Sequence, residues 1–240
     1  MRYTVVDSGL RCSKDDPVRD LFAKCVLAMA ALVCAAAPAM AQPVTFTGFA
    51  NGAQAVRVDL TPNSPFESYT LQAGGFSTVY NGASFVSYCV DLFQWLPSFG
   101  TADNSYRQVS GSSFFGSRLD AVSRLFSGFS GAATTPLASA AFQLALWEVA
   151  YESAPGAYSL TTGNARFSDA NAADGNAITL AQSYLNNLGS QSNSFQVSVL
   201  QSAGRQDVVF ATPVPEPSTY ALMFAGLMGV VFIARRRSKA

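Results

Sequence analysis

The stretch 140-AAFQLALWEVAYE-152 decides how this sequence folds, because it is the most strongly helical segment in the chain and holds a polar residue in an awkward place. Phe142, Ala145, Leu146, Val149 and Ala150 recur at helical spacing, and Leu144, Trp147 and Tyr151 carry the hydrophobicity most of the way round. Such a helix is predicted to be buried. Gln143 shares a face with Leu146, Trp147 and Ala150, so its carboxamide meets the edge of the core and needs a hydrogen-bond partner there.

Upstream, residues 43–99 read as β structure. Val44-Thr45-Phe46, Ala55 to Leu60, Glu67 to Gln72 and Ser77 to Tyr80 are short β-rich runs, separated by turn signals at Asn51-Gly52, Pro62-Asn63-Ser64-Pro65 and Gly74-Gly75. After Asn81-Gly82 comes a strand over Ser84 to Phe93, in which Phe85, Ser87, Cys89 and Asp91 share one side. Gly100 to Gly116 is Ser/Gly-rich and reads as a loop, and Ser117 to Phe129 as an amphipathic helix with Leu119, Val122, Phe126 and Phe129 on one stripe. A short connector then leads into the opening stretch, so the two helices are predicted to pack as an antiparallel hairpin. Ala154 to Gly175 is loop-like, Ala177 to Leu188 a third helix, and Phe195 to Leu200 and Asp207 to Ala211 closing strands. The expected class is α+β: a β-rich sandwich or barrel-like domain with an inserted helical hairpin and a third helix.

The two ends are of a different character. Lys24 precedes the apolar run Cys25 to Ala37 and then Ala39-Met40-Ala41, which reads as a secretory signal peptide over residues 1–41. Met1 to Val18 is too long and too acidic for its charged leader, which places the true start further downstream. At the other end Pro213 to Pro217 reads as a stiff linker, and residues 219–234 as a marginal transmembrane helix stopped by Arg235-Arg236-Arg237. Those arginines predict a cytoplasmic C-terminus and an exported domain over 42–212.

Removal of residues 1–41 takes Cys12, Cys25 and Cys34 with it and leaves Cys89 with no intramolecular disulfide partner. The chain has no His, which excludes Ser-His-Asp and Cys-His catalysis and the commonest zinc ligand. Between residues 42 and 212 there is no Lys, and six Arg face ten Asp and Glu, so nucleic acid is not an expected partner. No metal site or cofactor is expected. Glu148 and Glu152 at helical i, i+4 spacing read as a solvated face rather than a carboxylate pair for glycoside hydrolysis. Asp169 to Asn176 reads as a turn ahead of the third helix rather than a calcium loop, because the Asp174-Gly175 pair is out of register and the distal Glu is missing.

Val214-Pro215-Glu216-Pro217-Ser218, a short apolar run and Arg235-Arg236-Arg237 follow one another in the order of the PEP-CTERM sorting signal, which this tail resembles. The resemblance implies that an exosortase in the inner membrane recognises Pro215, Glu216 and Pro217 and processes the protein for the cell surface, extracellular matrix or biofilm. A second resemblance covers the exported part. Tyr88-Cys89-Val90-Asp91-Leu92, followed by a helix and then Gln143-Leu144-Ala145-Leu146-Trp147-Glu148, is similar to the pattern of bacterial thioester domains, with Leu146 where Ile is typical and Phe142 where Thr is common.

That second resemblance implies an internal thioester between Cys89 and Gln143, shielded from water by Tyr88 and Trp147. Attack of the Cys89 thiolate on the Gln143 side-chain carbonyl would release ammonia and leave an acyl group for a partner nucleophile. The expected protein is therefore a non-enzymatic surface or matrix protein that attaches covalently to an amine or hydroxyl, with exopolysaccharide among the candidate partners. The other readings are a matrix component that binds polysaccharide without covalent chemistry, in which Cys89 is a buried or dimer-forming thiol and Gln143 bonds to nearby backbone, and third, an enzyme acting on a small substrate.

Overall fold

The computed structural model describes residues 42–60, 68–152, 158–170, 176–214 and 222–230. The residues read as a signal peptide, the sorting triplet Pro215-Glu216-Pro217 and Arg235 to Arg237 lie outside these.

Among the described residues ten strands form two antiparallel sheets. β1 (Val44–Phe49), β4 (Phe76–Tyr80), β5 (Ala83–Cys89), β6 (Ala102–Asp103), β7 (Arg107–Ser110), β9 (Phe195–Ser202) and β10 (Arg205–Pro213) make one sheet in the order β6-β1-β4-β5-β10-β9-β7. β2 (Gln54–Leu60), β3 (Tyr69–Ala73) and β8 (Ala165–Asp169) make the other, in the order β3-β2-β8. The expected sandwich or barrel thus takes the form of two open sheets with helices. Alternation fixes which side of each strand is buried: Val44 and Phe46 in β1, and Val56, Val58 and Leu60 in β2, lie in the core while Arg57 between them is exposed. β4 and β5 form a two-residue hairpin through Asn81 and Gly82, whose φ angles of 52° and 73° are those a tight primed turn requires.

Four helices are described between β7 and β9: α1 (Gly111–Phe115), α2 (Leu119–Phe129), α3 (Pro136–Tyr151) and α4 (Ala177–Asn186). α3 contains the opening stretch. Thr135 caps its N-terminus by accepting from the Ala138 N–H at 3.2 Å, Pro136 occupies the first turn, and every residue from Ser139 to Val149 is buried. α2 packs against it as expected, with the Phe126 and Phe142 rings edge to face at 5.1 Å. α4 lies along α3 and ends at Asn186, two residues before the expected Leu188, where a short 3-10 turn takes over.

Three expectations need correction. Gly100 to Gly116 is not simply a loop, because β6, β7 and the first turn of helix lie within it; Ser110 caps α1, and β7 gains its order from pairing with β9. The strand expected to reach Phe93 ends at Cys89, and an irregular segment follows. Within the loop-like Ala154 to Gly175, Ala165–Asp169 forms β8 because Ala165 and Phe167 alternate into the core and the backbone pairs with β2. Of the expected span 219–234, residues 222–230 are described and are helical with every side chain exposed, and the rest lies outside the described residues; no helix among the described residues is long and apolar enough to cross a membrane.

Candidate functional site

Three backbone facts bring Cys89 and Gln143 together. β4 pairs with β5 from Tyr80 opposite Ala83 to Phe76 opposite Ser87, and in an antiparallel ladder every second residue turns its N–H and C=O toward the same neighbour. The next residue of β5 to face β4 is Cys89. By then β4 has ended: the Gly75 N–H donates to Ser139 Oγ on α3 at 2.9 Å, and the Gly75 carbonyl accepts from the Ala50 N–H at 2.8 Å. Glycine is required there, because a Cβ on Gly75 would lie 2.7 Å from Val86 Cγ1 and 2.9 Å from the Tyr88 ring.

The main-chain groups of Cys89 are therefore left without a strand, in the core, where unpaired polar groups are costly. Gln143, one helical turn after Ser139, takes the place of the missing peptide. The Cys89 N–H donates to Gln143 Oε1 at 2.9 Å, and Gln143 Nε2 donates to the Cys89 carbonyl at 2.8 Å. On its other edge β5 continues into β10, with Val208 opposite Cys89 and the Val90 N–H donating to the Asp207 carbonyl at 3.0 Å. Both residues are almost fully buried. The awkward glutamine of the opening stretch thus has its partner, and that partner is Cys89, the one cysteine among the described residues.

The Cys89 side chain is a neutral thiol. Burial pushes its pKa far up, and its S–H donates to the Asp91 carbonyl at 2.9 Å. The Trp147 indole N–H opposes this shift by favouring the thiolate, although at full hydrogen-bond geometry it meets no acceptor among the described residues. Trp147 lies one turn beyond Gln143 and lines a cavity of about 580 Å³ together with Cys89. Tyr88, paired with Trp147 in the sequence reading as a shield, faces the opposite way. It is on the other face of β5, with its ring 4.4 Å from that of Phe142 and 6.1 Å from that of Phe126.

Covering residues around Cys89 come instead from elements that sequence patterns did not connect with it. Tyr69 of β3 donates through its hydroxyl to the Leu92 carbonyl at 2.7 Å, and the Leu92 N–H donates to the Tyr151 hydroxyl at 2.9 Å. These two phenols grip the segment just after Cys89 from either side. Burial pushes the Tyr69 hydroxyl up to about 12, so it is a proton donor at neutral pH. Phe93, Trp95 and Phe99 follow on the same irregular segment; their density in DLFQWLPSFG, 91–100, was a visible signal of an unusual loop.

The expected solvated face at Glu148 and Glu152 is not formed. Glu148 is fully buried; its Oε1 accepts from the Ser159 N–H at 2.7 Å, and Oε2 has no partner among the described residues. Desolvation pushes its pKa up to about 7. Glu152 is half-buried and accepts from the Asn164 N–H at 2.8 Å. The hydrophobic surround of α3, on all its faces, is what draws Glu148 inside. Among the described residues no group of three or more Cys, Asp or Glu is placed to hold a metal ion. Of the turn read at Asp169 to Asn176, residues 171–175 lie outside the described set; Asp169 accepts from the first amides of α4, and Asn176 caps it by accepting from the Thr179 N–H at 2.7 Å.

Residues 213–237 match the family described as the PEP-CTERM protein-sorting motif. The tail is a PEP-CTERM sorting motif. It implies recognition by an exosortase and a C-terminal membrane anchor before processing. No curated protein matches the chain. Among solved structures, the chain is similar to a cysteine-to-alanine mutant of the N-terminal thioester domain of a surface protein from Clostridium perfringens, at 14% identity and a TM-score of 0.38, over 67% of this chain and 100% of that one.

Proposed function

We propose that this exosortase-sorted surface protein carries an internal thioester between Cys89 and Gln143 and uses it once, to attach covalently to a partner bearing an amine or a hydroxyl. The observation that carries the reading is the reciprocal pair of hydrogen bonds between the Cys89 backbone and the Gln143 carboxamide. It holds the amide carbon beside the residue that bears the thiol. It also aims the Cys89 N–H at Oε1, the atom on which negative charge gathers when sulfur attacks.

In that attack the Sγ–Cδ bond forms and the Cδ–Nε2 bond breaks. The thiol proton leaves with the nitrogen as ammonia, and no redox partner is required. The partner nucleophile later adds to the same carbon, the C–S bond breaks, and the thiol is regenerated. This is a single covalent event per molecule rather than turnover.

The same two hydrogen bonds would also satisfy a purely structural glutamine, in a matrix component that binds without covalent chemistry. Intact mass separates the two. The thioester predicts that the exported protein lacks the mass of one ammonia, and that Cys89→Ala and Gln143→Ala do not. A wild-type protein at full mass, with one thiol titratable after denaturation, overturns the proposal.

A further inference from the structure

Resting on the thioester reading, the shape and chemistry of the cavity above Cys89 identify the kind of nucleophile it admits. At about 580 Å³ it is within the ~300–1,000 Å³ range of ligand pockets. Cys89 and Trp147, both 2% exposed, lie at its depth. Its mouth carries Phe93, Trp95 and Phe99, which are 48%, 82% and 49% exposed. Phe99 rests on Phe49 at 5.9 Å and Phe93 on Tyr151 at 6.2 Å, so their exposed halves together with Trp95 form an apolar rim around the entrance to the buried acyl centre.

Charge narrows the choice. Among the described residues no side chain lining the cavity is charged; the polar ones include Gln72 and Gln94, and Gln94 Oε1 has no hydrogen-bond partner among the described residues. A lysine nucleophile arrives as an ammonium, with a pKa near ~10.4, and would have to shed its hydration and its proton among uncharged lining side chains; Asp91 and Asp207, close enough to Cys89 to act on it, do not line the cavity. A hydroxyl enters neutral. The occupant must also offer flat apolar faces to the aromatic rim and further hydroxyls to the glutamines. A sugar ring has both, with C–H faces above and below and hydroxyls at its edge.

We infer that this cavity is an acceptor site for a neutral saccharide, one of whose hydroxyls takes the Gln143 acyl group as an ester. The sugar oxygen bonds to Gln143 Cδ, the C–S bond breaks, and the hydroxyl proton passes to the Cys89 sulfur, leaving an ester and a free thiol. Trp95 supplies the stacking platform.

The test uses the exported protein with maltotriose, cellotriose and tri-N-acetylchitotriose, with Nα-acetyl-lysine amide as the amine-bearing competitor and methylamine as a small probe of the thioester. The expected result is addition of the full mass of at least one trisaccharide, with release of one thiol, at least about tenfold faster than addition of the lysine derivative at equal concentration. Trp95→Ala, at a site too exposed to affect folding, should lower the ratio of trisaccharide to methylamine addition about tenfold, the loss expected on removing an aromatic contact at a binding centre. A protein that reacts with methylamine but with none of the trisaccharides, or that takes up the lysine derivative faster, overturns the saccharide assignment while the thioester stands. Failure to react with methylamine sinks the thioester, and with it the ester step. Trp95 fluorescence titrated with the same sugars then tests the cavity alone, and no change in signal rejects it.

Discussion

Replacing Cys89 with Ala gives the most decisive stability measurement, because the two readings of this site predict losses of different size. Cys89 and Gln143 are 54 residues apart in the chain. A covalent link between them closes that loop in the unfolded state, and by the chain-entropy relation used for disulfides a loop of this length contributes about 4 kcal/mol. For a domain of this size each kcal/mol moves the melting temperature by about 2–4 °C, so Cys89→Ala should melt roughly 8–16 °C below wild type. Opening the link in wild type with methylamine should produce most of the same drop. If no link exists, the substitution removes only a buried sulfur and leaves both backbone hydrogen bonds to Gln143 in place. It then costs roughly 1 kcal/mol, a shift of about 2–4 °C. Scanning calorimetry of wild type, methylamine-treated wild type and Cys89→Ala distinguishes these outcomes. All three melting within about 4 °C of one another would refute the cross-link.

Gln143→Ala should be less stable than Cys89→Ala with or without the link in wild type, since Cys89→Ala keeps the intact carboxamide and both its hydrogen bonds, whereas Gln143→Ala orphans a buried N–H and a buried C=O at about 1–3 kcal/mol each; chemical denaturation of both variants gives the comparison. Trp147→Phe removes the indole N–H that favours the thiolate, so in a Gln143→Ala background, where the thiol is free, alkylation of Cys89 should shift to higher pH; an unchanged profile rejects that contact. Glu148 has a folded pKa of about 7 against an ordinary 4.5, so between those values the folded state holds the proton more often than the unfolded one. Its contribution to stability is full below about pH 4.5 and falls by roughly 3 kcal/mol as pH rises to about 7, and Glu148→Gln should flatten that slope in denaturation curves across pH. Substitution of Pro215-Glu216-Pro217 should leave the protein in the inner membrane fraction, and unchanged export would refute a sorting role for the triplet.

Much of the scaffold was legible from short-range pattern. The Asn81-Gly82 turn, the α2 and α3 hairpin and the alternation in β2 each depend on residues within a few positions of one another, where periodicity and turn chemistry act directly. What escaped was order supplied from a distance. β7 and β8 have sequences that read as loop and become strands because β9 and β2 offer them a ladder. Glu148 reads as solvated because its neighbours in sequence do not reveal that α3 is enclosed on every side. Alternation alone left open which side of β5 is buried, and only the packing of Tyr88 against Phe126 and Phe142 shows which side looks toward the helices.

By itself, the sequence determined the ingredients: a sorting tail in its motif order, a chain without histidine, a single cysteine after residue 34, and a buried helix obliged to find a partner for Gln143. Each is a matter of composition or local spacing. Only the tertiary structure decided that the partner is the Cys89 backbone, because this follows from where β4 leaves the ladder at Gly75 and where Ser139 and Gln143 meet the vacated edge. It likewise decided that an aromatic cavity, uncharged among its described lining residues, opens onto the same cysteine. Those relations join residues tens of positions apart, and no local pattern encodes them.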